Sequence, residues 1–332
     1  MKNHLRVLFW ILLYIAPSLT EGSDIDSLYT NPIIMKSLPD PTIIKATDGK
    51  FYLYATEDTR NMPIYQSDNL MDWNFIGTVF CDESRPSVLS KGGLWAPDIN
   101  YINGRYVLYY TQSRFDELEK NGIGVAVSNL PAGPFLDLGK LFTSEEIGVK
   151  NSIDQFYYEE KGKKYLFWGS MYGIYGIELA KDGLTIKRGA RKRKIAGSFM
   201  EGTAIERRNG FYYLFGSAGF CCNGDNSSYH ITYGRSKNLF GPYKTKEGKL
   251  LLDNYYDTLI KGDQRVAGPG HQSRLVTDDK GQDWIIYHGY MRGQPEKGRV
   301  IFLDRVKWID GWPVVEGEHP SVKSPAPCFN NN

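Results

Sequence analysis

The sequence predicts an all-β protein built as one five-bladed β-propeller. A hairpin motif recurs five times, helical periodicity is almost absent, and no linker divides the repeats. The 332 residues are 41% hydrophobic and 14% aromatic, which is enough apolar material for a large core. The net charge is only +2, and the one dense basic run, residues 187–194, lacks interleaved aromatic residues. We therefore expect a solvated surface hairpin there and no nucleic-acid partner.

Each repeat joins a turn glycine to an apolar and aromatic strand. The glycines lie 55, 58, 48 and 71 residues apart, at Gly49, Gly104, Gly162, Gly210 and Gly281. This spacing suits a blade of four short strands, since propeller repeats run to roughly 40 to 50 residues. Asn-Gly and Asp-Gly pairs open several copies and favour tight hairpins, because both central residues need positive φ. The repeats therefore predict five blades in a single domain over residues 19–332.

The first residues are typical of a secretory signal peptide. Lys2 and Arg6 precede an apolar run at residues 7–15, which is too short to span a bilayer. A small-x-small pattern at residues 16–18 predicts cleavage after Ser18, which gives a signal peptide over residues 1–18. No cysteine lies near this position, so no lipid anchor is expected. The sequence thus predicts a secreted or periplasmic protein, in which disulfides can persist.

The four cysteines have no metal-ligand spacing and are too few for a disulfide scaffold. Cys221 and Cys222 are adjacent, and two thiols in a loop are the simplest expectation. A vicinal bridge between them, or a bond to Cys81 or Cys328, is the alternative.

Polar side chains share one register before the repeat glycines. In a propeller the first strand of each blade lies nearest the axis, so its opening residues face a common cleft. Counting back six to ten residues from each glycine gives Asp40, Trp95, Asp98, Asp154, Glu201 and His271. Five blades are therefore expected to direct acids, an indole and an imidazole into one small volume.

Three of these residues, Asp40, Asp154 and Glu201, stand beside apolar neighbours. Crowding like charges in a partly dry cleft is unfavourable, so the set indicates chemistry. Inverting glycoside hydrolysis needs a carboxylate base and a carboxylic acid, about 6.5 to 9.5 Å apart. A third acid near the proton donor would raise the pKa of the donor by repulsion. An Asp before Pro can also simply cap a turn, so a structural role stays open for Asp40 alone and for Asp98.

Taken in order on five repeats, these motifs resemble glycoside hydrolase family 43 from about residue 38 to about residue 315. The resemblance implies that Asp40 is the general base and Glu201 the general acid. It further implies that Asp154 tunes and orients the acid, and that hydrolysis inverts the anomeric centre.

The stretch 220–229 and the following Gly234-Arg235-Ser236 are similar to arabinan endo-1,5-α-L-arabinanases of that family. The substrate implied is arabinan, a plant pentose polysaccharide with α-L-arabinofuranosyl linkages. A xylan-directed β-xylosidase or endo-xylanase is the alternative, because blade four opens with Glu201-Gly202 where arabinanases usually have Glu-Ala-Pro.

The same resemblance assigns roles around the acids. His271 resembles the family histidine beside a hydrated calcium or sodium ion on the propeller axis, although a histidine bonded within a turn is the alternative. Trp95 is expected to stack on a sugar face, with packing between blades as the alternative. Asp98, Phe220 and Arg299 are expected at the substrate. We expect a monomer with no organic cofactor.

Two other classes of protein remain as alternatives. A non-catalytic sugar-binding propeller would keep an aromatic cleft but has no need of three converging acids. Retaining fructan hydrolases also use five blades and an early Asp, but their carboxyl groups lie only about 5 to 5.5 Å apart. Endo or exo action depends on the loops at residues 83–91, 115–121 and 219–229, so the sequence predicts neither.

Overall fold

The computed structural model describes residues 27–87, 92–114 and 116–329, which form a five-bladed β-propeller. The predicted fold class is therefore confirmed, whereas the predicted signal peptide lies outside the described residues. No helix in these three segments is long and apolar enough to cross a membrane. The basic run at residues 187–194 is largely exposed, as predicted.

Each blade is an antiparallel sheet whose main strands follow in chain order. Blade 1 follows a short first strand, and the elements are β1 (Leu28–Thr30), β2 (Thr42–Lys45), β3 (Phe51–Tyr54), β4 (Pro63–Ser67) and β5 (Asn74–Thr78). Blade 2 contains β6 (Gly93–Ile102), β7 (Arg105–Ser113), β8 (Gly122–Ser128) and β9 (Leu136–Thr143). Blade 3 contains β10 (Phe156–Glu160), β11 (Lys163–Trp168), β12 (Ile174–Glu178) and β13 (Arg193–Ala196).

The last two blades complete the ring. Blade 4 contains β14 (Met200–Arg208), β15 (Phe211–Ala218), β16 (His230–Ser236) and β17 (Asp257–Ile260). Blade 5 contains β18 (Val266–Gly270), β19 (Val276–Thr277), β20 (Asp283–Met291), β21 (Val300–Ile309) and β22 (Trp312–Val314), and β23 (Lys323–Pro325) follows it. One short helix, α1 (Ser144–Ile147), links blades 2 and 3, and single 3₁₀ turns occur at Gly224–Asn226, Leu251–Asp253, Pro295–Lys297 and Glu316–Glu318.

The repeat glycines lie at the hairpin turns that the sequence predicts. At Asn103-Gly104 the two φ angles are 50° and 85°, and at Asn209-Gly210 they are 49° and 79°. Two consecutive positive φ angles match the twist of the flanking strands, so the turn sets the register of the first two strands of the blade.

Apolar side chains pack between neighbouring blades, so the sheets are held to each other by their faces. Residues from adjacent blades share one buried cluster in each case: Tyr54 with Tyr110, Val107 with Leu166, and Leu53 with Trp284. A larger cluster joins blades 3, 4 and 5 around Phe167, Phe215 and Phe302. These faces fix how far apart the inner strands lie around the axis.

The chain ends close the ring at the junction of blades 5 and 1. Strand β1 pairs with β23, and the Leu38 N–H donates to the carbonyl of Arg299 (3.0 Å). The buried Asn31 amide donates to the Leu303 carbonyl (2.8 Å) and accepts from the Leu303 N–H (3.0 Å). One side chain thus satisfies both backbone groups of a residue in β21.

We predict that Asn31→Ala lowers the free energy of unfolding by roughly 1 to 3 kcal/mol, because it leaves the buried Leu303 N–H unpaired and leaves the Leu303 carbonyl with the Tyr29 hydroxyl as its remaining side-chain donor. Chemical denaturation followed by fluorescence measures the change. The matched control is Asn238→Ala on an exposed turn, which should have little effect. Equal stability of the two variants would contradict this role for Asn31.

Candidate active site

At or next to the inner strand of every blade, one residue at the level of the acids has backbone in the left-handed region, where non-glycine residues are rare. The φ angles are 54° at Asp40, 41° at Ala96, 59° at Asp154, 61° at Gly202 and 46° at His271. The strand register also shifts at this level in blades 2, 4 and 5. Strain of this kind concentrates at functional sites, where the surrounding structure holds it in place.

Side chains at this level line one cavity of about 400 Å³. Six of the residues singled out from the sequence are in its wall: Asp40, Trp95, Asp154, Glu201, His271 and Arg299. Asp98 and Phe220, both within the described part of the chain, lie outside this wall. The structure therefore brings the three acids together at one mouth of the propeller.

Asp40 is held by partners from three directions. The Thr56 hydroxyl donates to Oδ2 (2.6 Å), while Nη1 of Arg299 (3.1 Å) and Nδ1 of His271 (3.2 Å) contact Oδ1. Burial alone would raise the pKa of Asp40, but the positive charges of Arg299 and His271 outweigh burial and hold the pKa well below its usual range. Asp40 is therefore an ionised carboxylate at neutral pH.

Asp154 has the opposite character. Its Oδ2 accepts from the Gly202 N–H (3.3 Å) and lies 3.9 Å from Nδ1 of His271. Burial raises the pKa of Asp154 to about 8; His271 opposes this shift, while the negative charges of Glu201 and Asp40 add to it. Asp154 consequently keeps its proton near neutral pH.

Glu201 is oriented by two hydroxyl groups. Ser170 donates to Oε2, and the buried Tyr229 hydroxyl donates to Oε1 (2.8 Å). Both donors come from the turns next to the cavity, one at the end of β11 and one before β16. Both partners are uncharged, so they orient the Glu201 carboxyl group without adding a positive charge beside it.

His271 lies between the two aspartates. Burial alone would lower the pKa of His271, but Asp40 and Asp154 outweigh it and raise the pKa to about 9. The imidazole is therefore positively charged at neutral pH, and its Nδ1 is the atom that faces both carboxylates.

The resemblance implies a calcium or sodium ion beside His271, and the side chains around His271 show whether the protein could hold one. Within the described residues, no three His, Cys, Asp or Glu side chains form a group that could hold a metal. A calcium ion takes about 6 to 8 oxygen ligands, so an ion beside His271 would depend on water for nearly all of them. These side chains do not form a protein cage for an ion.

Cys221 and Cys222 are joined by a disulfide, and both line the cavity. The expectation of two thiols was wrong, and the vicinal bridge is the alternative that the structure contains. The Cα atoms are 3.8 Å apart and Cys222 has a φ of 64°, which places the two sulfur atoms together. Cys81 and Cys328 are free. Phe220, the residue before the bridge, is 71% exposed.

Asp98 lies further along β6, beyond the register shift that follows Trp95. It is 3% exposed, accepts from the Tyr157 N–H (2.6 Å) and pairs with Nη2 of Arg274 (3.2 Å). Its carboxylate is therefore bonded to other blades inside the propeller. It does not line the cavity, where a substrate contact was predicted.

Comparisons with known proteins agree with this arrangement. The sequence model of the glycosyl hydrolases family 43 matches residues 29–313. The chain is 32% identical to the extracellular endo-α-(1→5)-L-arabinanase 1 of Bacillus subtilis over 83% of this chain and 87% of that protein. The chain belongs to glycosyl hydrolase family 43. It is therefore a glycoside hydrolase.

Other family 43 proteins resemble the chain in sequence and in fold. It is 31% identical to the extracellular exo-α-(1→5)-L-arabinofuranosidase ArbA of Cellvibrio japonicus, over 83% of this chain and 86% of that protein. The structure of the Cellvibrio cellulosa α-L-arabinanase complexed with arabinohexaose superposes with a TM-score of 0.75 at 28% identity, covering 84% of this chain and 95% of that one.

Sequence reasoning missed the groups that support the acids of this family 43 chain. A signal was present, because a hydroxyl or imidazole follows each repeat glycine by seven or eight residues. These positions are Thr56, Thr111, Ser170, Ser217 and His288. They stand at the ends of the second strands, where small polar residues look like ordinary turn residues.

A second cavity, of about 560 Å³, is lined by other inner-strand residues of the family 43 propeller, including Glu206 and Arg274. The Glu206 carboxylate accepts from the Leu275 N–H (2.8 Å). Burial raises the pKa of Glu206 to about 7, against the lowering effects of this hydrogen bond and of Arg274.

We predict that Glu206→Gln becomes progressively more stable relative to wild type as pH rises from about 4.5 to about 7, and that the difference is level above this range. The unfolded chain loses the Glu206 proton near pH 4.5, whereas the folded wild type keeps it until about pH 7, so the contribution of Glu206 to stability falls as pH rises between these values. Glutamine has no proton to lose. Urea denaturation at several pH values measures the difference, and Asp253→Asn at an exposed position is the control. A pH-independent difference would contradict the prediction.

Proposed function

We propose that this family 43 enzyme hydrolyses α-1,5-linked L-arabinofuranosyl bonds of arabinan with inversion at the anomeric carbon. The observation that carries the proposal is that three acids share one cavity, with Asp40 ionised, Asp154 holding its proton and Glu201 beside them. The relatives and the superposed structure named above, all arabinan-directed by name, support the substrate.

Asp40 has the properties of a general base. As the oxygen of a water molecule forms its bond to the anomeric carbon, Asp40 takes the proton that the water loses. The Thr56 and Arg299 contacts keep the carboxylate in place and ionised before the reaction begins.

Glu201 is the general acid in this proposal. It donates its proton to the glycosidic oxygen as the bond between that oxygen and the anomeric carbon breaks, and it is left as a carboxylate. Asp154 accepts from the N–H of Gly202, the residue next to Glu201, and so helps to orient the acid. Solvent then returns the proton from Asp40 to Glu201.

The walls of the cavity fit the apolar faces of a furanose ring. Trp95, Tyr172 and the Cys221–Cys222 bridge supply apolar surface around the acids. Arg299 is both a wall residue and the partner of Asp40, so a sugar bound beside it would lie against the base.

Two further parts of the proposal have their own support. Secretion is supported by the apolar N-terminal run and by relatives that are named extracellular. The hydrated calcium or sodium ion beside His271 stays a prediction of the resemblance, and elemental analysis of the purified enzyme would detect it.

The substrate and the stereochemistry are tested together. Linear arabinan, xylan and aryl pentosides are assayed side by side, and we expect arabinan to be cleaved fastest. Proton NMR of the first-formed sugar should show the inverted anomer. Preference for xylan would replace the proposed substrate, and a retained anomer would remove Asp40 from the role of base.

Separate roles for the acids predict a dependence on the leaving group. Glu201→Gln should lose about 10²- to 10⁴-fold in kcat on arabinan but much less on arabinosides with an acidic phenol, which leaves without protonation. Asp40→Asn should lose activity on arabinan and on the aryl arabinoside, because the attacking water must be activated whichever group leaves. Asp154→Asn should fall between them. Equal losses of Glu201→Gln on the two substrates would contradict its role as proton donor.

A further inference from the structure

A ring of hydrogen bonds joins each blade to the next at the level of the acids. In every case a side chain at the end of a second strand contacts the axial residue of the following blade. The pairs are Thr56 with the Ala96 N–H, Thr111 with the Asp154 N–H, Ser170 with the Glu201 carboxylate, Ser217 with the His271 N–H, and His288 with the Asp40 N–H.

His288 is the one member of this ring that is not a hydroxyl, and it closes the ring from blade 5 to blade 1. Its Nδ1 accepts the Asp40 backbone N–H at 2.9 Å, so the proton of the neutral ring is on Nε2. The side chain is 0% exposed, and burial, followed by the charge of Arg299, holds the pKa of His288 well below its usual range. The imidazole is therefore a fixed acceptor for the strained backbone of Asp40, whose φ is 54°.

The ring of His288 also supports the acid. It stacks on Tyr229 with the ring centres 5.9 Å apart and the planes at 14°. The Tyr229 hydroxyl in turn donates to Oε1 of Glu201 (2.8 Å). Gly270, which pairs with His288 in the sheet, leaves room for this tyrosine, since a Cβ there would lie 2.1 Å from its ring.

We propose that His288 is a positioning residue that sets Asp40 and Glu201 relative to each other, through a hydrogen bond to the backbone of one and an aromatic stack behind the other. This inference rests on the proposed roles of the two acids. It adds a residue that does not line the cavity.

The second ring nitrogen indicates that packing alone does not explain this histidine. Nε2 is buried and has no hydrogen-bond partner among the described residues. A buried N–H without a partner is unfavourable, and a phenyl ring would fill similar space without one. Polar groups that violate this rule are expected where function requires them.

Two substitutions separate the two contacts. His288→Phe keeps an aromatic ring behind Tyr229 but cannot accept the Asp40 N–H. His288→Asn keeps an acceptor near the position of Nδ1 but has no ring to stack on Tyr229. His288→Phe removes the unpaired Nε2–H of the histidine and leaves the Asp40 N–H without its acceptor. The number of unpaired buried N–H groups is therefore unchanged, and the melting temperature should stay close to that of wild type.

We expect His288→Phe to lose about 10- to 100-fold in kcat on arabinan and on an aryl arabinoside alike, with KM little changed, because Asp40 is displaced. His288→Asn should recover much of the rate on the aryl substrate yet remain impaired on arabinan, because the acid is the group it disturbs. The control is His319→Phe near the C-terminus, which should leave both rates unchanged.

Wild-type activity is measured first on both substrates, so that failure of the proposed function is seen separately. If wild type cleaves arabinan and a folded His288→Phe retains its kcat, the positioning role is wrong. The role is also wrong if His288→Asn loses as much rate on the aryl arabinoside as on arabinan, because a general loss of structure would act in that way. Should His288→Phe not fold, the leaving-group dependence of His288→Asn decides the question.

Discussion

The propeller depends on hydrogen bonds that pass from the second strand of each blade to the axial residue of the next. The apolar clusters between blades set the spacing of the sheets, but apolar contacts have no direction and cannot aim a carboxylate. The ring from Thr56 to His288 supplies that direction. It also stabilises left-handed backbone at Asp40, Ala96, Asp154 and His271, a conformation that isolated residues of these types would rarely adopt.

The ionisation states of Asp40 and Asp154 depend on the positions of Arg299 and His271. Arg299 contacts Asp40 alone among the three acids, and His271 is closer to Asp40 than to Asp154. Burial and neighbouring negative charge disfavour ionisation in the cavity, so Asp40, which has the best cationic partners, is ionised while Asp154 keeps its proton near neutral pH. Asp40 and Asp154 are thus distinguished by their charged partners, although they occupy equivalent positions in the repeat.

The sequence predicted the blades and the convergence of the acids because both depend on periodicity. Glycines such as Gly104 mark the hairpins, and a constant offset from them reaches the axis. Asp98 shares this periodicity, but the bulge after Trp95 moves it out of the cavity; Pro97 is compatible with a bulge but does not specify which side chain the bulge displaces. The bridge at Cys221 depends on a local left-handed turn that adjacent cysteines alone do not specify.

The acids and the rest of the cavity wall come from different parts of this chain. The acids and their hydrogen-bond partners lie on or next to the inner and second strands, whose positions the whole ring fixes. Much of the remaining wall comes from segments between strands, including Leu118, Tyr172 and the bridge at Cys221. Relatives that are named as endo-acting and exo-acting are similar to this chain to nearly the same degree. Because loops change more freely than a closed ring of strands, the loops are where a difference in mode of cleavage would arise without disturbing the acids.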